Sequence, residues 1–329
     1  LFFGKQFHHL YYLLPYVRES VTKEVLYLDK EPTMLDEIKK KFPDINPIFI
    51  SRENPKKVIE YLSKFSVFLI SNNESYLIKG ILPLLQHQYI TAYVVHGTPQ
   101  KFISEKSYMN SLWFFNDVTV FPGSKDIVQF KRLNGIEEKG SKELKINYEG
   151  KDALLLKSGN LRIKNYLSAN NENVIEEIKS QIDLSKPTLL YTPTFENKLL
   201  SSYKEYSSIK FFIQLFNSLK TPSYFNWIIK VHPNVESNNP QLWGSLVSLK
   251  EEYCKKGVNI ILEAYQEYLP FMEVADALIS DRTTAAFDFL YFNKPIFFLD
   301  NTNECPLKID FDKDIMNSFW LYQAGTVIR

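Results

Sequence analysis

The chain has 329 residues, with 39 Lys plus Arg, 38 Asp plus Glu and a formal net charge of +1. That balance excludes a broadly basic nucleic-acid surface, and a hydrophobic share of 45% is enough for two α/β cores. Cys254 and Cys305 stand far apart, which makes neither a zinc site nor a disulfide framework and fits a reducing cytoplasm.

No apolar run reaches the roughly 18 residues of a membrane-spanning helix. The start, LFFGKQFHHL, lacks the charge-then-apolar order of a signal peptide. In chain order, apolar runs predict strands at 24–28, 47–50, 67–71, 90–95, 118–121 and 153–157. Helices are predicted between them at 33–42, 55–65, 76–86, 102–115 and 124–133, on stripes such as Leu35, Ile38 and Phe42. A short helix at 163–167 runs into SANNEN, 168–173, a polar linker candidate. Beyond it the pattern resumes, with helices at 174–182, 208–219, 242–255 and 268–274 and strands at 188–192, 227–231, 258–262 and 277–279. The expectation is an α/β chain of GT-B-like architecture, two Rossmann-like domains whose parallel sheets face a central cleft. The domains are placed at 1–167 and 168–315, with 316–329 packing back on the N-terminal domain.

One stretch organises the rest: SDRTTAAFDFLYFNKPIFFL, from Ser280 to Leu299. It reads as a strand end, a hydroxyl-rich turn, a helix over 285–292, a break at Asn293-Lys294-Pro295 and a buried strand at 296–299. A helix start rich in hydroxyls is a ready anion site. Ser, Thr and Asp there also serve as a plain N-cap.

Similar polar clusters follow other predicted strands: His96-Gly97-Thr98-Pro99, Gly159-Asn160-Leu161-Arg162, Thr192-Pro193-Thr194 and His232-Pro233-Asn234. Ligands of doubly wound sheets bind beyond the C-terminal strand ends. His96 suits a general acid or base, and Pro233 restrains the backbone of His232. His8, His9 and His87 fall on predicted helices and read as structural. Arg162 could hold phosphate bidentately, or form a surface ion pair. Lys101 could meet phosphate, or be merely solvated. Asp288 shares a helix face with Thr284 and could orient a hydroxyl, hold a ribose or cap the helix. No histidine spacing suggests a metal site.

HGTPQK at 96–101 resembles the HGTPLK motif of the CDP-glycerol glycerophosphotransferases, the teichoic-acid polymerase family. GNLRIKNYL, YTPTFE, KVHPN, SDRTTAAFDF and KPIFFL resemble further segments of that family, in the same order. Leu161 stands where the family has Pro, Glu196 where Arg is common, and Arg282 where Tyr is usual.

The resemblance implies a GT-B-fold transferase that moves glycerol phosphate or ribitol phosphate from a CDP-activated donor to a polysaccharide or lipid-linked glycan acceptor, releasing CMP. It assigns 1–167 to the acceptor and 168–315 to the nucleotide donor. His96 and His232 become the catalytic pair. Gly97, Thr98, Lys101, Arg162, Thr194, Asp281, Thr283, Thr284 and Asp288 become substrate-binding. No metal or other cofactor is implied and no nucleic-acid partner. The expected location is the cytoplasm, with peripheral association at the inner face of the cell membrane. Two alternatives share these features: a CMP-sugar glycosyltransferase of the sialyl or Kdo type, and a non-catalytic nucleotide- or polymer-binding module of a larger synthase.

Overall fold

A computed structural model of the chain describes residues 2–3, 7–71, 80–95, 116–133, 144–148, 151–195, 207–310, 313–317 and 319–329. These fall into two compact units, one ending at Leu167 and the other starting at Ser168.

In the first unit, β1 (Phe2–Phe3), β2 (Glu24–Asp29) and β3 (Asn46–Ser51) form a parallel sheet in that order. A second sheet contains β4 (Val67–Ile70), β5 (Ile90–Val94), β6 (Val118–Phe121), β7 (Leu144–Tyr148) and β8 (Lys151–Lys157). Its order is β4-β5-β6-β8-β7, with β7 antiparallel to β8. The strands are apolar on both faces because helices cover both. Val25 and Tyr27 cluster with Leu10, Leu13 and Leu14 of the helix Phe7–Glu19, and with Val94 and Val120. Leu26 and Leu28 point the other way, to Val58 and Leu62 of the helix Pro55–Leu62 and to Phe68 and Ile70 of β4. The two sheets therefore share both cores.

The second unit has six parallel strands: β9 (Thr188–Thr192), β10 (Asn226–Lys230), β11 (Ile260–Glu263), β12 (Ala277–Ser280), β13 (Ile296–Leu299) and β14 (Thr326–Ile328). The order is β11-β10-β9-β12-β13-β14. Counted within the unit, that is third, second, first, fourth, fifth, sixth, the doubly wound Rossmann order. The chain winds outward from β9 in one direction and resumes at β12 in the other, so the topological switch point lies between their C-terminal ends. Tyr191, Ile229 and Ile279 lie in register on one face, clustered with the helices Ile209–Ser218 and Pro240–Cys254. Tyr191 stacks on Phe212 at 3.8 Å, and Phe216 meets Trp227 edge-on at 4.7 Å.

Three expectations change. His87 does not lie on a helix: it follows a 3-10 turn, Leu82–Leu84, and its Nε2 hydrogen-bonds the Phe65 carbonyl at 2.8 Å. The helix expected over 285–292 is an α-helix only at Ala285–Phe289, followed by a 3-10 turn, Leu290–Phe292, that ends on Asn293 in the left-handed region. The segment 316–329 lies in the second unit, where β14 completes the sheet beside β13. Most of the helix expected at 76–86, and all of that at 102–115, lie outside the described residues.

Gly325 makes that last strand possible. It sits just ahead of β14, where a Cβ would stand 2.3 Å from the Ile296 carbonyl oxygen. The obstructing atom is backbone, so a side chain would displace β14 from β13. We expect Gly325→Ala to destabilise the second unit by about 1–3 kcal/mol, the usual range for overpacking. Urea unfolding followed by Trp fluorescence measures this; an unchanged midpoint would refute the packing.

Candidate functional site

The C-terminal strand ends of the second unit carry three of the predicted clusters, and one buried carboxylate ties two of them together. Asp281 is the first residue after β12 and is 1% exposed. Its Oδ1 accepts the backbone N–H of Thr194, beyond β9, at 2.8 Å. Its Oδ2 accepts the backbone N–H of Ser208 at 2.9 Å and the Ser208 hydroxyl at 2.8 Å. With that hydroxyl proton committed, Ser208 Oγ accepts from the Tyr191 hydroxyl, 2.8 Å away. Burial and then the Asp281 charge push the Tyr191 pKa up, which keeps the phenol a donor. Beneath, Ser280 Oγ donates to the Thr192 carbonyl at 2.6 Å. Asp281 and Thr194, both expected to touch substrate, are therefore buried in the floor of the switch point. The short Asp281 side chain reaches neighbouring backbone rather than solvent.

His232 follows β10 and is half-buried. Its ring lies 4.5 Å from that of Phe195, tilted by 35°. The Asn234 backbone N–H donates to His232 Nδ1 at 3.0 Å. An Nδ1 used as acceptor leaves the proton of the neutral ring on Nε2, which makes Nε2 a donor. This geometry suits hydrogen bonding to a phosphate oxygen better than proton abstraction.

Thr283 and Thr284 are partly exposed. Thr284 occupies the N-cap position, yet its side chain makes no capping hydrogen bond. Thr283 Oγ1 accepts the Ala285 N–H only at 3.4 Å. The plain-cap reading is thereby weakened. Arg282, between these threonines and Asp281, is buried against the Phe319 ring at 4.4 Å. Asp288 is also buried, and its Oδ2 accepts the Tyr268 hydroxyl.

In the first unit, Arg162 opens the helix Leu161–Ser168, behind Gly159 in the left-handed region at φ +77°. Asn160 Oδ1 caps that helix at the Ile163 N–H, 3.2 Å away. Arg162 is 4% exposed; its Nη1 donates to the Tyr12 hydroxyl at 2.8 Å, and its guanidinium lies 4.7 Å from the Tyr12 ring centre. It lines a small open recess at the ends of β5, β6 and β8, together with Tyr12, Tyr16 and Ser158. The surface ion-pair reading does not suit this burial. His96, Gly97, Thr98 and Lys101 lie outside the described residues.

Several residues of the site were not anticipated. Ser208 and Tyr191 complete the Asp281 network, and Tyr268 pairs with Asp288. Lys230 of the KVHP stretch is buried, and its Nζ donates to the Ala264 carbonyl at 2.8 Å. Nothing in spacing alone pairs residues from different strand ends, so only the strand order reveals these partners. Among the described residues, no group of three or more His, Cys, Asp or Glu side chains could hold a metal ion.

Comparison with known proteins fits this geometry. The family model described as CDP-Glycerol:Poly(glycerophosphate) glycerophosphotransferase matches residues 56–304, well over half of the chain. A curated relative, the teichoic acid glycerol-phosphate primase of Bacillus subtilis (strain 168), is 25% identical over 271 residues. That alignment covers 79% of this chain and 63% of the primase, so the chain spans less than two thirds of its relative. Among solved structures, a variant of the wall teichoic acid polymerase TagF is similar with a TM-score of 0.54 and 16% identity, covering 97% of this chain and 71% of the polymerase. The UDP-GlcNAc 2-epimerase of Neisseria meningitidis gives 0.59 at 13% identity, covering 98% and 88%. At these identities the structures establish the GT-B-like fold. The chain belongs to the CDP-glycerol:poly(glycerophosphate) glycerophosphotransferase family.

Proposed function

We propose that the chain transfers a polyol phosphate, glycerol phosphate or ribitol phosphate, from a CDP-activated donor to a hydroxyl of a cell-wall or capsule polymer. Family membership supports the donor class, and the primase supports the polymer class. The observation that carries the reading is the switch point itself. Asp281 is sealed inside it, while the partly exposed His232, Thr283 and Thr284 bring neutral hydrogen-bonding groups to its rim. An anionic pyrophosphate suits such a rim, because charge-assisted hydrogen bonds to phosphate are stronger than neutral ones.

In the transfer, an acceptor hydroxyl oxygen bonds to the phosphorus that carries the polyol. The bridging P–O bond breaks, and CMP leaves with that bonding pair. His96 takes the hydroxyl proton. His232 and the two threonines spread the charge that builds on the phosphoryl oxygens, and positioning supplies most of the rest. Arg162 borders the recess that we assign to the acceptor, with Gly97, Thr98 and Lys101 beside His96. The reading needs no cofactor beyond the activated donor. It places the chain in the cytoplasm, working peripherally at the inner membrane face on a polysaccharide or lipid-linked glycan. Among the described residues no helix is long and apolar enough to cross a membrane.

A donor panel decides the reaction class. CMP release in the presence of polymer acceptor should appear with CDP-glycerol or CDP-ribitol and not with CMP-sugars or UDP-sugars. Release from CMP-sugars alone would move the chain to the glycosyltransferases, and none at all would leave a binding module. His96→Ala should lower kcat by about 10²–10⁴-fold, the usual reach of a general base, with CMP affinity nearly unchanged; a normal rate would remove His96 from the mechanism. Thr283→Val and Thr284→Val should each raise KM for the donor about tenfold or more, from the roughly 1.5–3 kcal/mol of a hydrogen bond to a charged group. Calorimetry with CMP and CDP separates this from misfolding: loss confined to the diphosphate is the expected result.

A further inference from the structure

Residues 264–268 join β11 to the helix Leu269–Val274, and the loop is fastened along its length. Glu263 Oε1 accepts the backbone N–H of Tyr265 at 2.5 Å and of Gln266 at 2.9 Å. Glu267 Oε1 accepts those of Tyr268 at 3.0 Å and Leu269 at 3.3 Å. Lys230 Nζ reaches the Ala264 carbonyl from the end of β10. These bonds fix the backbone of the loop. Two side-chain bonds then reach outward. The Tyr265 hydroxyl donates to Glu236 Oε2, on the helix Asn234–Asn238 that follows His232. The Tyr268 hydroxyl donates to Asp288 Oδ2, on the helix Ala285–Phe289 that follows Thr283 and Thr284.

Both outward ties pair a phenol with a carboxylate, and they end on the two helices that directly follow the proposed pyrophosphate donors. The burial is uneven. Asp288 is 3% exposed, whereas Tyr265 is 64% exposed although its hydroxyl is held. A buried carboxylate that takes a tyrosine hydroxyl is poorly placed to grip a ribose. A held, solvent-facing ring has little rotamer freedom left to lose when a ligand arrives.

We propose that Asp288 and Tyr268 are a positioning pair: Asp288 acts on the donor through Tyr268, by keeping loop 264–268 in register with Thr283 and Thr284. Glu236 and Tyr265 hold the same loop on the His232 side. The proposal rests on the CDP-donor reading above and deepens it, because it assigns the donor side of the crevice a prebuilt wall.

The test compares Tyr268→Phe, Asp288→Ala, Asp288→Asn and the Tyr268→Phe/Asp288→Ala double variant in the full chain. Losing one hydrogen bond should raise donor KM about fivefold to tenfold in Tyr268→Phe and in Asp288→Ala, with kcat nearly unchanged. The double variant should be no worse than the weaker single, since both remove the same bond. Asp288→Asn keeps an acceptor oxygen and should restore the parent KM. An Asp288→Ala variant that loses kcat while Tyr268→Phe matches the parent would overturn the proposal, since Asp288 would then touch the reacting substrate. Amide hydrogen exchange across 264–268 gives a readout independent of turnover. Faster exchange in Tyr268→Phe supports the brace, and unchanged exchange overturns it. Failure of the parent chain to release CMP from any CDP donor would defeat the functional reading alone, and exchange would still decide the brace.

Discussion

A carboxylate sealed from water is costly unless donors meet it, and Asp281 is met by three, from Thr194 and Ser208. They come from the segment after β9 and from the start of the helix Ile209–Ser218. β9 and β12 are neighbours in register, Ser280 beside Thr192, and beyond them the chain must splay because the sheet winds in opposite senses on either side. Asp281 closes that splay from within. Removing its carboxyl group would take that acceptor from two backbone N–H groups and a hydroxyl, a loss at the centre of the second unit rather than at its surface.

The order of the sheet then decides what the rim can contain. Strands β10 and β11 end on one side of the switch point and deliver His232 and loop 264–268. Strand β12 delivers Arg282, Thr283 and Thr284 on the other. Lys230 and Tyr268 join these pieces laterally, by bonds to Ala264 and Asp288. The charged groups nearest the rim are thus committed to structure: Asp281 to backbone, Asp288 to a phenol, Lys230 to a carbonyl. The partly exposed His232, Thr283 and Thr284 offer neutral hydrogen-bonding groups there.

The strands were legible in the sequence because parallel strands buried on both faces read as uninterrupted apolar runs. TLLYT, NWIIK and IFFL each centre on such a run, and their bounds fall within a residue or two of the expected ones. Three edge strands escaped, the first being β1, only two residues long. Leu144, Ile146 and Tyr148 alternate as β7 should, with Glu149-Gly150 as a turn signal before β8, but no element was expected there. TVI at β14 is too short to declare itself and depends on Gly325 to reach Ile296. The motif residues were legible as a set, but their division of labour was not. Asp281 and Thr283 stand two positions apart in one motif, and only the strand order turns the first inward and leaves the second partly exposed.

The same reasoning bears on the turn around which the sequence is organised. As an anion site it was expected to draw on a helix dipole, but the helix that follows is five residues, Ala285–Phe289, and gives way to a 3-10 turn. So short a run aligns few peptide dipoles. The turn must rely instead on discrete groups, the hydroxyls of Thr283 and Thr284. Arg282 adds a fixed positive charge from below, held by the Phe319 ring in the segment that leads to β14. In a low-dielectric interior that charge is weakly screened. The C-terminal strand is therefore more than a sheet edge: by carrying Phe319 and Tyr322 back over Arg282 and Phe298, it helps set the electrostatics of the turn.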